Sequence, residues 1–329
     1  MHNFNFKDFY NGKKVLVTGA DGFIGSHLTE RLISYAANVT VFVRSSVLTT
    51  GHDIKLRNLN HVKDKIRIIS GDIAGYDIIE IIRKEKPEII FHLAAEAYVN
   101  KSFNQPREVI DANVIGTLNV LHGCLNEEMM PASFINRIVT TSSSEIYGTY
   151  NAPINEDFVM NPSSPYGASK AAADRLAYSY YNTYGLPIAI IRPFNTYGPR
   201  HTYDAPPKFI SLALNNKDIT IYGSGEQSRD LMYVDDTVDG FLIMGMDEKA
   251  IGEAVNFGTG KDIKIVDLAK MIIEVSGSKS KIVHLPSRMS EVMRLCCDNN
   301  KARRLFGWEP KISIYDGLMK NVDWARKQG

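Results

Sequence analysis

The run KVLVTGADGFIGS, residues 14–26, decides the fold. A β-branched apolar run, Lys14–Thr18, passes directly into glycines at positions 19, 22 and 25. Gly19 permits a tight turn off a strand. Gly22 lets the backbone approach a pyrophosphate, and Gly25 lets the next helix lie close to the sheet. The helix N-terminus then faces that anion with free N–H groups and a positive dipole, with Phe23, Ile24 and Gly25 expected at the dinucleotide. Three glycines at this spacing also occur in plain tight turns. The place of this turn between a first strand and a first helix makes it a dinucleotide-binding turn.

Outward from that turn, short apolar runs alternate with longer helical stretches. Residues 14–18, 38–43, 66–69, 89–93, 137–141 and 188–191 read as strands, and residues 25–35 and 109–126 as helices. Nearly continuous apolar runs suit strands covered on both faces. This alternation predicts an α/β fold, a Rossmann-type doubly wound parallel sheet. After Pro193 prolines and glycines cluster and strands become irregular. Residues 1–194 therefore read as the dinucleotide-binding domain. Residues 195–329 read mainly as a smaller α/β substrate domain, interleaved with the first and placed at the carboxyl ends of the strands, where ligands of open sheets bind.

Composition narrows the class. The chain has 329 residues, enough for a large core, with 38 Lys plus Arg against 37 Asp plus Glu. That balance provides no field for nucleic acid or an anionic membrane surface. No apolar run approaches the roughly 18 residues of a membrane span. The N-terminal residues lack a signal-peptide apolar core. Three cysteines, two of them adjacent at 296 and 297, form no disulfide framework and no zinc spacing, so no metal is expected and a reducing cytoplasm is the expected compartment.

The second strand ends in Arg44-Ser45-Ser46. An acidic residue about 20 residues beyond the glycine turn holds the ribose of NAD in many such folds. It is missing here, and Arg44 with the two serines suits the 2′-phosphate of NADP instead. NADP is therefore favoured over NAD, the alternative being a solvated arginine at a strand end. Asp72 either accepts a bond from the adenine amine or caps the next helix.

Pro165 opens a helix expected to run to about Tyr184, with Gly185 as its stop. Tyr166 and Lys170, at i and i+4, share one face. A tyrosine phenol titrates near pH 10. A neighbouring ammonium and the positive nicotinamide ring favour the phenolate, which then serves as a base while hydride leaves the same carbon. The spacing alone decides little, since Tyr10 and Lys14 repeat it ahead of the glycine turn. Tyr166 is distinguished by SSSEIYG at 142–148, which follows the fifth strand and supplies a hydroxyl to polarise the same oxygen. A serine run here also suits a polar capping loop.

With these motifs the chain resembles the extended short-chain dehydrogenase/reductase family of nucleotide-sugar epimerases, dehydratases and decarboxylases. The resemblance spans nearly the whole length through TGADGFIG (18–25), HLAA (92–95), NVIGT (113–117), SSSEIYG (142–148), YGASK (166–170), RPFN (192–195), RDLMYVDD (229–236) and LFGWEP (305–310). It implies Ser143 as the catalytic hydroxyl, Tyr166 as the base and Lys170 as its partner. It also implies Ile73 and Ala94 beside the dinucleotide. Ser144, Asn195, Arg229 and Arg294 are implied on a nucleotide-diphosphate sugar. Arginine forks suit phosphate oxygens, although each alone is more often a surface ion-pair residue. The long helices at 109–126 and 166–184 imply a homodimer, by analogy only.

Ser144-Glu145 indicates the subclass. In simple 4-epimerases of the family small or apolar residues follow the catalytic hydroxyl, and in glucose 4,6-dehydratases Asp-Glu follows. Ser-Glu resembles mannose 4,6-dehydratases, some acetamido-sugar 4,6-dehydratases and glucuronic acid decarboxylases. Oxidation at C4 acidifies the C5 proton, which Glu145 removes as water leaves C6. A 4,6-dehydratase is therefore expected. The alternatives are a 4-epimerase or C4 oxidoreductase, in which Glu145 only positions substrate, and a glucuronate decarboxylase. A non-enzymatic dinucleotide sensor is opposed by the intact Ser143, Tyr166 and Lys170.

Overall fold

The computed structural model describes residues 4–44, 56–287 and 292–328. Six strands follow in chain order: β1 Lys14–Thr18, β2 Asn38–Arg44, β3 Arg67–Gly71, β4 Ile89–His92, β5 Arg137–Thr141 and β6 Ile188–Pro193. Next come β7 Asn195–Tyr197, β8 Ile219–Tyr222, β9 Ser228–Tyr233, β10 Ala254–Phe257, β11 Asp262–Lys264, β12 Ile282–Leu285 and β13 Arg294–Leu295.

The main sheet has the order β10-β6-β5-β4-β1-β2-β3. The pairings from β3 through β6 are parallel. The order reverses between β1 and β4, and that switch point lies where the glycine turn leaves β1. Strands β1, β4 and β5 are nearly fully buried, which accounts for their continuous apolar character. Leu16, Phe42, Ile78, Ile82, Ile90, Val120, Ile138 and Ile190 belong to the core around this sheet. Each fully buried aliphatic side chain contributes roughly 1.5–3 kcal/mol.

Two compact units divide the chain. The first comprises Met1–Ser143, Ser164–Arg192 and Val238–Val255; the second comprises Ser144–Ser163, Pro193–Thr237 and Asn256–Gly329. Residues 144–163, placed by sequence in the first domain, cluster with the second unit instead. Residues 238–255 return to the first. Arg137 shows why: its guanidinium donates to the carbonyls of Met244 (2.8 Å) and Asp247 (2.7 Å), tying the carboxyl end of the helix Val234–Met246 to the start of β5.

In the second unit β9 is central. It pairs antiparallel with β11 and parallel with β7 and β13. A separate parallel pair joins β8 and β12. The helices Ala205–Leu214, Ile265–Ser276 and Ile314–Arg326 pack around these strands.

The expected helix at 109–126 differs in detail. It runs from Pro106 to Gly123, and one π turn interrupts it over Asp111–Ile115. Such single turns inside α-helices occur frequently at functional sites, and side-chain bonds gather at this one. Here Asn113 lies in the π turn and carries several of those bonds.

Candidate active site

The first unit carries the glycine turn. Gly19 has φ +69°, and a Cβ there would lie 2.7 Å from the backbone nitrogen of Ala94. A side chain is excluded both by conformation and by the close approach of the two loops at the switch point. Gly22 is the N-cap of the helix Phe23–Ser34 and provides no side-chain cap. At Gly25 a Cβ would lie 2.3 Å from the carbonyl oxygen of Gly19. The turn is therefore a tight backbone cradle at a helix N-terminus, which fits a pyrophosphate. The Asp21 carboxylate accepts from the N–H groups of Arg57 (2.7 Å), Asn58 (2.8 Å) and Leu59 (3.1 Å) and fastens a neighbouring loop to the turn.

Arg44 ends β2. It is largely exposed and lies 3.8 Å from the Glu96 carboxylate. Ser45 and Ser46 lie outside the described residues. Asp72 is exposed and accepts from the Ala74 N–H at 3.0 Å. It does not cap the next helix, Asp77–Glu85, whose N-cap is Tyr76. Ile73 is buried, and the Asn119 amide donates to the Ala74 (3.0 Å) and Gly75 (3.1 Å) carbonyls, holding this turn.

At the carboxyl end of β5, Ser143 is buried. The helix Pro165–Tyr184 begins as its sequence requires. The Ser164 hydroxyl accepts from the Gly167 N–H at 3.0 Å, and Gly185 ends the helix at φ +69°. Tyr166 and Lys170 are both buried in its first turns. The Lys170 ammonium donates to the Thr141 carbonyl, the last residue of β5. That bond ties the Tyr166 helix to the strand that delivers Ser143. Burial lowers the Lys170 pKa to about 8, against a smaller upward pull from Asp174.

Several residues that support this site had no role assigned from sequence. Asp174 follows Lys170 by one helical turn and is ion-paired with Arg192 (2.8 Å) and Arg175 (2.5 Å). Those two arginines, opposing the effect of burial, hold its carboxyl below the usual range. His92 is buried between Thr18 (2.8 Å) and Thr117 (3.0 Å), and burial together with the Lys170 charge lowers its pKa to about 3.

The tautomer of His92 follows from its partners. Thr117 donates to the Asn113 carbonyl at 2.7 Å, so it accepts from His92 Nε2–H. Thr18 then donates to Nδ1 while accepting from Ala94 N–H at 3.2 Å. Asn113 continues the network, donating to Ser169 Oγ at 2.9 Å, and Ser169 donates to the Tyr166 carbonyl at 2.7 Å. A neutral, directional chain thus runs from the β1–β4 switch point to the Tyr166 turn. The motifs TGADGFIG, HLAA, NVIGT and YGASK contain its members, but only the fold shows that they meet.

In the second unit Glu145 lies in a short turn, Ser144–Ile146. Ser144 is buried and Glu145 partly so. Burial raises the Glu145 carboxyl above its ordinary range, with Arg229 lowering it and Asp204 raising it. Arg229 also donates to the Ser228 carbonyl at 2.9 Å. Asn195 Oδ1 is buried and meets no hydrogen-bond donor among the described residues. Such an acceptor fits a ligand donor. Arg294 is engaged internally: it forks onto Asp262 (3.0 and 3.2 Å) and donates to the Asn151 carbonyl. That fork pulls the Asp262 pKa to about 2.

A doubly wound sheet with a glycine cradle and a buried Tyr-x-x-x-Lys helix beside β5 defines an extended short-chain dehydrogenase/reductase. The family model for GDP-mannose 4,6 dehydratase matches residues 16–321, and the chain belongs to that family. The UDP-glucose 4-epimerase of Mycolicibacterium smegmatis is 33% identical over 321 residues, 96% of this chain and 99% of that protein. The human dTDP-D-glucose 4,6-dehydratase is 33% identical over 96% of this chain and 90% of its own. Among solved structures, DesIV of Streptomyces venezuelae, a dTDP-glucose 4,6-dehydratase with NAD bound, superposes with a TM-score of 0.85. It is 29% identical and covers 95% of this chain and 97% of its own. This is an enzyme family of nucleotide-sugar dehydratases and epimerases. Among the described residues no helix is long and apolar enough to cross a membrane.

Proposed function

We propose that this chain is a nucleotide-sugar 4,6-dehydratase that works with a bound nicotinamide dinucleotide. Glu145 carries the reading. It is a carboxyl directly after Ser143-Ser144, and burial raises its pKa, which strengthens it as a base. The glycine cradle, Asp72, Ile73 and Ala94 hold the dinucleotide, which when bound supplies a hydride acceptor and donor.

Tyr166 takes the proton of the C4 hydroxyl, with Lys170 favouring the phenolate and Ser143 donating to the same oxygen. Glu145 removes the C5 proton, made acidic by the C4 carbonyl. Ser144 is not an acid, so the proton that Glu145 takes from C5 passes, directly or through a relay, to the C6 hydroxyl, which leaves as water. Ser144, Asn195 and Arg229 hold the substrate and its diphosphate, and Arg294 would have to exchange its fork onto Asp262 to join them; the Oδ1 of Asn195, without a donor among the described residues, supports its part in this. The second reading is 4-epimerisation or simple C4 oxidation, favoured by the near full-length likeness to a UDP-glucose 4-epimerase.

Mass spectrometry against UDP-, GDP-, CDP- and dTDP-hexoses separates these readings by loss of water or unchanged mass. Loss of carbon dioxide from a uronate substrate would instead mark a decarboxylase. Glu145→Gln is expected to lower elimination by about 10²-fold or more while C4 oxidation survives, read as reduced dinucleotide without dehydrated product. Continued hydrogen exchange at C5 in that variant would remove Glu145 as the base.

NADP is favoured over NAD by Arg44, although the solved relative above holds NAD. Loss of a charge-assisted phosphate contact in Arg44→Asp is expected to lower affinity for NADP relative to NAD by about tenfold or more. Unchanged relative affinities in a calorimetric titration would reject the assignment. A second copy of the chain is the proposed protein partner. Phe103, Ile110 and Tyr178 are exposed apolar residues on the packed helices Val99–Asn104, Pro106–Ile110 and Pro165–Tyr184. Sedimentation velocity should give a dimer, and a single-chain mass would overturn this.

A further inference from the structure

One buried asparagine bonds three residues of the segment that carries Glu145, beside the ties of that segment to Met293, Arg294 and the backbone of Cys296 and Asp298. Asn256 lies in β10 and is fully buried. Its Nδ2 donates to the Ile154 carbonyl at 3.0 Å, and its Oδ1 accepts from the Tyr147 hydroxyl at 2.8 Å. Its backbone N–H donates to a Glu156 carboxylate oxygen at 2.7 Å. The orientation of the amide has one solution. The Ile154 carbonyl only accepts, so Nδ2 faces it, and Oδ1 is left for the phenol. Each of these bonds ends within residues 144–163, and those residues enter the second unit together.

Tyr147 transmits this anchoring to Glu145. Its ring is fully buried, two positions beyond Glu145. Its N–H donates to the Ser144 carbonyl at 3.1 Å, closing a turn with Glu145 inside it. Gly148 follows at φ +71°, where a Cβ would strike the Asn161 carbonyl oxygen at 2.2 Å. The phenol end of Tyr147 is thus bonded to Asn256, its backbone closes the Glu145 turn, and the next residue is confined by Asn161. Rotation of the Glu145 backbone would pull the phenol from the buried Oδ1 and leave that acceptor unsatisfied.

We propose that Asn256 and Tyr147 are positioning residues that set the Glu145 carboxyl for proton transfer at C5. The proposal rests on the reading of Glu145 given above. It assigns Tyr147 a task separate from hydride transfer, so removal of its hydroxyl should affect elimination and spare C4 oxidation.

The test uses Tyr147→Phe, which deletes one oxygen and keeps the ring. Hydrogen–deuterium exchange of the full-length protein should show faster exchange over residues 144–150, with β5 and β6 unchanged. UDP-glucose, dTDP-glucose and GDP-mannose serve as kinetic probes. Solvent deuterium entry at C5 should fall by about 10–10²-fold, as for a displaced catalytic group, with KM held within about twofold. The acid limb of the pH–rate profile should also move, because the surroundings of Glu145 have changed. In a Glu145→Gln background the same substitution should have no further effect on the residual rate, since both act on one step.

Unchanged exchange over residues 144–150 would overturn the proposal. So would an equal fractional loss in both backgrounds, which is the mark of a general structural defect. If Glu145→Gln alone leaves C5 exchange intact, the reading of Glu145 fails and this proposal fails with it. If Glu145→Gln blocks exchange while Tyr147→Phe does not, only the positioning role fails.

Discussion

Tyr166→Phe is expected to lower turnover by about 10³-fold while dinucleotide binding stays unchanged, the usual cost of losing a general base. The ring stays in place, so the buried first turn of the helix Pro165–Tyr184 keeps its packing. Only the proton acceptor is removed. The wild-type rate should also carry the signature of Lys170. Its folded pKa is depressed to about 8, so its charge is present below that pH and lost above it. Support for the phenolate therefore declines as pH rises through about 8. Steady-state rates and a calorimetric NAD titration check both statements. Near-wild-type turnover in the phenylalanine variant would remove Tyr166 as the base.

Gly25→Ala is expected to act on the other half of the site. Its Cβ would lie 2.3 Å from the Gly19 carbonyl oxygen and 3.0 Å from the Ala20 Cα. Both are backbone atoms of the turn, so the helix Phe23–Ser34 has to move away from β1. Overpacking of this kind costs about 1–3 kcal/mol, and displacement of the helix N-terminus spoils the anion cradle. Dinucleotide affinity should fall by about 10²-fold, the scale of losing one or two charge-assisted hydrogen bonds. Thermal melts with and without NAD test this. Wild-type stabilisation by NAD in the variant would show that the turn tolerates a methyl and that its glycine has another purpose.

Both variants lie in elements that could be read without the fold. KVLVT followed by glycines at 19, 22 and 25 specifies a strand, a turn and a helix through local rules alone: φ sign, backbone approach and helix start. The Tyr166 helix was equally legible, because Ser164, Pro165 and Gly185 mark its ends chemically. The boundary of the substrate domain was not. The change in composition near Pro193 marks it only in part: residues 144–163 leave the first unit earlier, whereas the return of residues 238–255 fits the interleaving read from the sequence. Contacts such as Arg137 on the carbonyls of Met244 and Asp247 decide that division, and no local pattern encodes them.

Sequence by itself determined the parallel sheet, the glycine turn and the helix that carries Tyr166 and Lys170, because each depends on spacing within one element or on the order of elements; Ser143, Tyr166 and Lys170 as one catalytic set are its proposal. Tertiary structure alone decided what surrounds those residues. It placed His92 between Thr18 and Thr117, Lys170 on the end of β5, Arg294 on Asp262, and Asn256 between Tyr147 and Ile154. These are bonds between residues far apart in the chain. Burial, which determines the pKa of a lysine or carboxyl, exists only once the layers close around the group.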